Sequence, residues 1–136
     1  MNRLSSFITC SLMGACALSQ AGVVVIGNPS VRKLDLQTVQ RIYTGKVVEV
    51  GGQAVVPINA PPGQPLRQRF LNEYMLQNED TYTAYWTVRR YVGKGAPPRE
   101  VSPVAEVLNQ VANTPGAIAY VDEVDVTAAT NVVLRK

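Results

Sequence analysis

The chain has 136 residues, enough for one domain, and its 13 basic against 10 acidic residues give a net charge of +3. It contains no histidine, which removes the commonest general base and metal ligand and makes a Ser-His-Asp triad unbuildable. Both cysteines, Cys10 and Cys16, lie in the first 21 residues, so residues 22–136 carry neither a disulfide framework nor a thiolate zinc site.

Met1 to Ala21 reads as a secretory signal. Arg3 supplies the positive end, Phe7 to Leu18 a short run of apolar and small residues, and Ser19-Gln20-Ala21 a cleavage site after Ala21. The run falls short of the roughly 20 apolar residues that a membrane span needs. A lipoprotein signal ending at Cys16 is the alternative, although Met13-Gly14-Ala15-Cys16 is a poor version of that pattern. The expected address is therefore periplasmic. Removing Arg3 leaves 12 basic and 10 acidic residues, a net of +2. That balance points to neither nucleic acid nor a membrane surface, and the scattered cations fit a solvated face.

Val23-Val24-Val25-Ile26 is a β-branched run, expected as a strand buried on both faces, and Gly27-Asn28-Pro29-Ser30 turns the chain. Asp35 is placed to cap a helix over Leu36 to Thr44, with Leu36, Val39, Ile42 and Tyr43 at helical spacing and Gly45 just past the end. Val47 to Val50, Gly51-Gly52 and Ala54 to Ile58 read as two short strands around a tight turn. A turn-rich loop, Asn59 to Gln64, then leads to Pro65, which suits the first position of a helix. Leu66, Phe70, Tyr74 and Met75 make its apolar stripe, with Arg67 and Glu73 nearer the edges. A helix start of this kind is a natural anion site, so Asn59, Gln64 and Arg67 are the candidate ligand-binding residues.

The next helix is expected from about Asp80 to Val92. Tyr82, Tyr85 and Trp86 beside Arg89 and Arg90 can stack on a ligand, but packing of Tyr82, Tyr85, Trp86 and Val92 into the core with arginines at the rim explains the pattern as well. Neither Gly45-Lys46 nor Gly93-Lys94-Gly95 has phosphate-loop spacing, and no cofactor is expected. Ser102-Pro103 is placed as cap and first residue of a helix with Val104, Val107, Leu108 and Val111 on one stripe. Ala117 to Val121 reads as a buried strand and Asn131 to Leu134 as a short last one. The acidic turn Asp122-Glu123-Val124-Asp125 lacks calcium-loop spacing and reads as solvated. Strands and helices mix throughout, so the class is α/β or α+β.

An ordered set of segments carries a family resemblance: Val23 to Pro29, Leu36 to Lys46 with its Arg41-Ile42-Tyr43-Thr44-Gly45-Lys46 run, Gly63 to Phe70, Tyr85-Trp86, Gly93 to Pro98, and Pro115 to Val121. They resemble the second lobe of the periplasmic phosphate-binding proteins of ABC transporters. The resemblance covers about residues 22–121 and implies an α/β class, one lobe of a type 2 periplasmic binding fold with a central mixed sheet flanked by helices, for a domain of residues 22–136. In that family two lobes close on an anion, which an arginine and a Gly-Ser-Gly-Thr helix start hold from the second lobe. Gly63 matches that pattern and Arg67 matches an arginine that commonly follows it. Gln64, Pro65 and Leu66 stand where Ser, Gly and Thr are expected, Asn59 or Ala60 stands where the ligand arginine is expected, and Ala119 replaces a glycine. Pro65 removes an NH donor, Leu66 a hydroxyl, and the missing arginine a bidentate charge-assisted contact. A two-lobe clamp also needs roughly twice this chain, and ligand sites depend on enclosure.

Two functions follow from the resemblance. One is an exported substrate-binding-protein-like domain that takes phosphate or a similar small anion at Asn59, Gln64 and Arg67 as part of ABC-type transport. In that case self-association with a second copy, or another partner, would supply the other wall of the site. The other is a non-transport interaction module that keeps the fold, has lost the anion site, and docks an envelope protein with its former ligand face. Catalysis would have to rest on carboxylates such as Glu73 and Asp80 or on lysine, with no pair at a defined separation, so no enzyme is expected.

Overall fold

The computed structural model describes residues 22–136, and the expected signal segment lies outside them. Strand β1 (Val23–Gly27) is buried along its whole length, as its β-branched run requires. Helix α1 (Leu36–Tyr43) is capped by Asp35, whose carboxylate accepts from the Thr38 amide at 2.7 Å. A small hairpin follows, β2 (Glu49–Val50) and β3 (Gln53–Ala54), and the chain then enters β4 (Val56–Asn59). Helix α2 (Pro65–Phe70) runs straight into a π-helical turn (Leu71–Met75), and α3 (Glu79–Tyr91) is capped by Asn78, which accepts from the Thr81 amide at 2.9 Å. A two-residue strand β5 (Arg99–Glu100), helix α4 (Val104–Asn113), strand β6 (Ala117–Asp122), a 3₁₀ turn (Glu123–Asp125) and strand β7 (Val132–Arg135) complete the chain.

Five strands form one mixed sheet in the order β5-β4-β6-β1-β7, with β4 parallel to both β5 and β6, and β1 antiparallel to both β6 and β7. Successive residues of a strand face opposite sides, and the two central strands show it. Val23, Val25, Ile118 and Tyr120 join the core under α1, α2, the π turn and α3. Val24, Ile26, Ala117, Ala119 and Val121 join Val107 and Val111 of α4 on the other side. The larger core is aromatic: Phe70 stacks on Tyr120 at 3.9 Å between ring centroids, and Tyr43 meets Phe70 edge-on at 4.8 Å.

Gly116 is what lets β6 reach β4. It has φ +79°, and a Cβ there would lie 2.0 Å from the Ala54 carbonyl oxygen, while its own carbonyl accepts from the Val56 amide at 2.9 Å.

Four local expectations are corrected. Ala54 to Ile58 is two strands in two sheets, because the hairpin closes at Ala54 and the chain crosses at Val55 to pair with β6. Ser102 caps nothing: Val101 is still bonded in extended form to the Asn59 carbonyl, so α4 starts later, with Pro103 at its cap. Val92 is exposed instead of core, because α3 turns only its Tyr82 and Trp86 side inward. Arg67, placed near the edge of its stripe, is only 4% exposed.

Candidate functional site

The site residues named from sequence lie at one corner, where β4 ends, the 60–64 loop turns, and α2 begins. Asn59 closes β4 and is buried. Its side-chain oxygen accepts from the Tyr120 hydroxyl, and its amide donates to the Tyr82 hydroxyl at 3.3 Å. The Tyr82 hydroxyl in turn donates to the Tyr43 carbonyl at 2.9 Å, and the Tyr120 hydroxyl accepts from the Ala60 amide at 2.9 Å. Asn59 is thus the hub of a buried polar network in which both ends of its amide are used.

Arg67 reaches under the loop from the first turn of α2. Its Nε and Nη2 donate to the two carboxylate oxygens of Glu79 at 2.8 and 2.7 Å, a bidentate pair, and its Nη1 donates to the Ala60 carbonyl at 3.0 Å. The Glu100 carboxylate lies 3.7 Å from Nη1, and the guanidinium carbon sits 5.4 Å from the centre of the Tyr82 ring. A cation in the first turn of a helix is unfavourable against the dipole. Here Glu79, the first residue of α3, supplies the offsetting charge, so one ion pair also ties the start of α2 to the start of α3.

Gln64 is different. It stands at the cap position of α2, and its side chain makes no capping hydrogen bond. With Asn59, Ser102 and Tyr120 it borders a cavity of about 50 Å³ whose other walls are largely apolar. Gly63 before it has φ +87° with open space where a Cβ would stand, so its positive φ is the reason for glycine there.

The electrostatics of the corner follow from burial. Desolvation pushes the Tyr82 hydroxyl up to about 12, against the lowering effects of the Trp86 contact and Arg67. Tyr120 is raised further and Tyr43 well above its ordinary value, again by burial first. All three hydroxyls stay protonated, as their donor roles require. The corner therefore presents neutral hydroxyls, a paired guanidinium and two carboxylates. Among the described residues no group of three His, Cys, Asp or Glu side chains is arranged to hold a metal ion.

Sequence reasoning brought Asn59, Gln64 and Arg67 to one corner but missed the residues that occupy two of them. Glu79 is the main one. The signal for it was the unfavourable placement of Arg67 itself, which asks for a carboxylate, and an acidic residue in the first turn of the next helix is a ready source. Tyr82 and Tyr120 are core residues, the packing alternative for Tyr82, and their hydroxyl ends complete the network.

No family model and no curated relative matches the sequence. Solved structures do match the fold. The crystal structure of an ABC-type phosphate transport receptor from Vibrio cholerae superposes with a TM-score of 0.64 at 18% identity, over 83% of this chain and 45% of that one. A putative phosphate ABC transporter substrate-binding protein from Clostridium perfringens, solved with bound phosphate, superposes with a TM-score of 0.56 at 19% identity, over 83% of this chain and 44% of that one. The chain spans less than half the length of either structure. Its fold is a mixed α/β unit corresponding to part of a phosphate-type substrate-binding protein, as the resemblance implied.

Proposed function

We propose that this chain is a non-transport interaction module of the cell envelope, built on the binding-protein fold with its anion-holding corner closed from within. The observation that carries the reading is the state of Arg67. Its hydrogen bonds go to Glu79 and to the Ala60 carbonyl, with Glu100 beside it. An anion entering here would have to displace one carboxylate and approach another, and the further cation of the adjoining cavity of about 150 Å³, Arg90, shares its lining with Glu100. The losses at Pro65 and Leu66 act in the same direction. The action is binding without catalysis, and the matched structures are transport receptors and binding proteins. The periplasmic address rests on the Met1 to Ala21 segment.

A second reading has an observation of its own. The Gln64 amide is uncommitted at the head of α2, and the Clostridium perfringens protein was solved with phosphate. On this reading Asn59, Gln64 and Arg67 hold phosphate or a similar anion for ABC-type transport. Isothermal titration with phosphate and sulfate separates the two. The interaction-module reading expects no heat at millimolar anion. Saturable heat that disappears in Gln64→Ala overturns it in favour of anion binding.

A further inference from the structure

We infer that the docking face of this module is the C-terminal half of α3 with the groove beside it, and that its partner is an acidic protein segment carrying apolar side chains. The inference rests on the interaction-module reading and adds the place and the chemistry. On the outer side of α3, Val88 is 62% exposed, Tyr91 92% and Val92 55%. They stand three and four residues apart, the spacing that puts side chains on one helical face. A folded chain gains nothing internally from this ridge, and grouped exposed apolar residues mark interaction surfaces more often than scattered ones.

The segment that carries the ridge is basic, and one carboxylate, Glu100, shares a cavity lining with Arg90. Between Asp80 and Glu100 the chain has no carboxylate, and it has four cations, Arg89, Arg90, Lys94 and Arg99. Arg90 has no ion-pair or hydrogen-bond partner among the described residues, and Arg90, Lys94 and Arg99 are all exposed. Arg89 lies over the rings of Tyr85 and Trp86, at 5.5 and 5.7 Å from their centres, and its Nη2 reaches the Gly45 carbonyl at 3.4 Å. That contact brings the end of α1, with exposed Lys46, to the same place. Beside these cations runs a groove of about 320 Å³ walled by Val47, Val48, Val55, Trp86 and Pro97, with Arg99 at its side.

Cations set around an apolar groove and ridge select a partner with the complementary pattern, carboxylates next to apolar side chains. Tyrosine and arginine are also the residue types that carry most binding energy at protein interfaces. A membrane surface would use the cations and the ridge but has no side chain to fill a concave groove, so a protein segment is favoured.

Site-specific photo-cross-linking in cells tests the inference, using the full chain with p-benzoyl-phenylalanine in place of Val88, Tyr91 or, at the acidic turn, Val124. The expected result is a discrete adduct from positions 88 and 91 and none from 124, with the cross-linked peptide, sequenced by mass spectrometry, net acidic and apolar. Arg90→Glu should lower the yield at position 91 by roughly tenfold, with an unchanged melting temperature showing that the fold survives. A captured segment that is neutral or basic, a lipid adduct, or a second copy of this chain overturns the partner chemistry. An adduct from 124 alone overturns this face but leaves the interaction-module reading standing. Absence of an adduct from every position overturns both.

Discussion

The two ends of α3 treat charge in opposite ways. At its start, Glu79 takes the buried guanidinium of Arg67 in a bidentate grip, and the neighbouring hydroxyls of Tyr82 and Tyr120 and the amide of Asn59 are matched to one another. At its end, Arg90 and Lys94 stand in solvent beside Val88 and Tyr91. On the interaction-module reading, the difference teaches what to look for in a binding fold put to another use. A corner whose polar atoms satisfy one another serves folding, because buried polar groups cost free energy unless matched. A face whose charges and apolar side chains are both unanswered contributes little to folding and remains available. The residues named from sequence as an anion site lie at the first end, yet the second end is the open one.

The largest expected effect is at the closed end. Arg67→Ala leaves Glu79 facing Glu100 and strips the Ala60 carbonyl of its donor. Breaking a buried pair by removing one partner costs about 3–5 kcal/mol. The Glu79 side chain is 30% exposed, so water recovers part of its solvation and the low end, about 3 kcal/mol, is expected. Urea unfolding measures it. The comparison sharpens with the double variant Arg67→Met with Glu79→Leu: removing both charges should recover much of the loss, because the pair's own desolvation goes with it. A single variant that melts like the parent would mean that the corner is not closed in solution.

Alkaline pH attacks the same corner from another direction. Burial raises the hydroxyls of Tyr43, Tyr82 and Tyr120 in the folded state, whereas unfolding returns each to an ordinary value of about 10. The folded state therefore holds these protons more tightly. The stability this gives is fully present below about pH 10 and is lost as pH rises through the folded values, about 12 for Tyr82. The loss from Tyr82 alone should approach 2–3 kcal/mol near pH 12, read as a falling urea midpoint above pH 10 while tyrosinate absorbance lags behind that of the unfolded chain. Tyr82→Phe should flatten part of the fall.

A smaller effect lies at the cap of the closed end. Asn78 caps α3 through the Thr81 amide, and Asn78→Ala should cost about 1 kcal/mol. It should do so without altering either the Arg67 network or the face at the far end of the helix.

Much of the fold was legible in the sequence because it rests on local signals. The run Val23 to Ile26, the Asp35 cap, Pro65 at a helix start and the stripe of α4 each carry their own physics, and each element is where those signals place it. What was not legible depends on pairing at a distance. The break at Val55 is decided by Gly116, some sixty positions on, whose missing side chain lets β6 approach. Strand β5 has two residues and exists because β4 offers it an edge. At the site, the position of Arg67 was readable but its burial was not, since that depends on Glu79 arriving from another helix. The exposure of Val92 and Tyr91 was hidden for a related reason. Periodicity reports that a helix has an apolar side, but α3 has two, and only packing shows which one the core takes.

The smallest expected effect is the one that separates the two ends most sharply. Tyr91 exposes 92% of its surface, so Tyr91→Ser removes almost no buried area, and Arg90→Glu removes a cation with no partner among the described residues. Surface changes of this kind stay within about 0.5 kcal/mol in stability. Both variants should therefore unfold at the urea midpoint of the parent, and their combination should as well. The fold gains almost no buried area from the ring at position 91, so an unchanged midpoint is what an open end requires. If either variant instead costs more than about 1 kcal/mol, the end of α3 takes part in folding. The contrast between a closed start and an open end then fails at the open end.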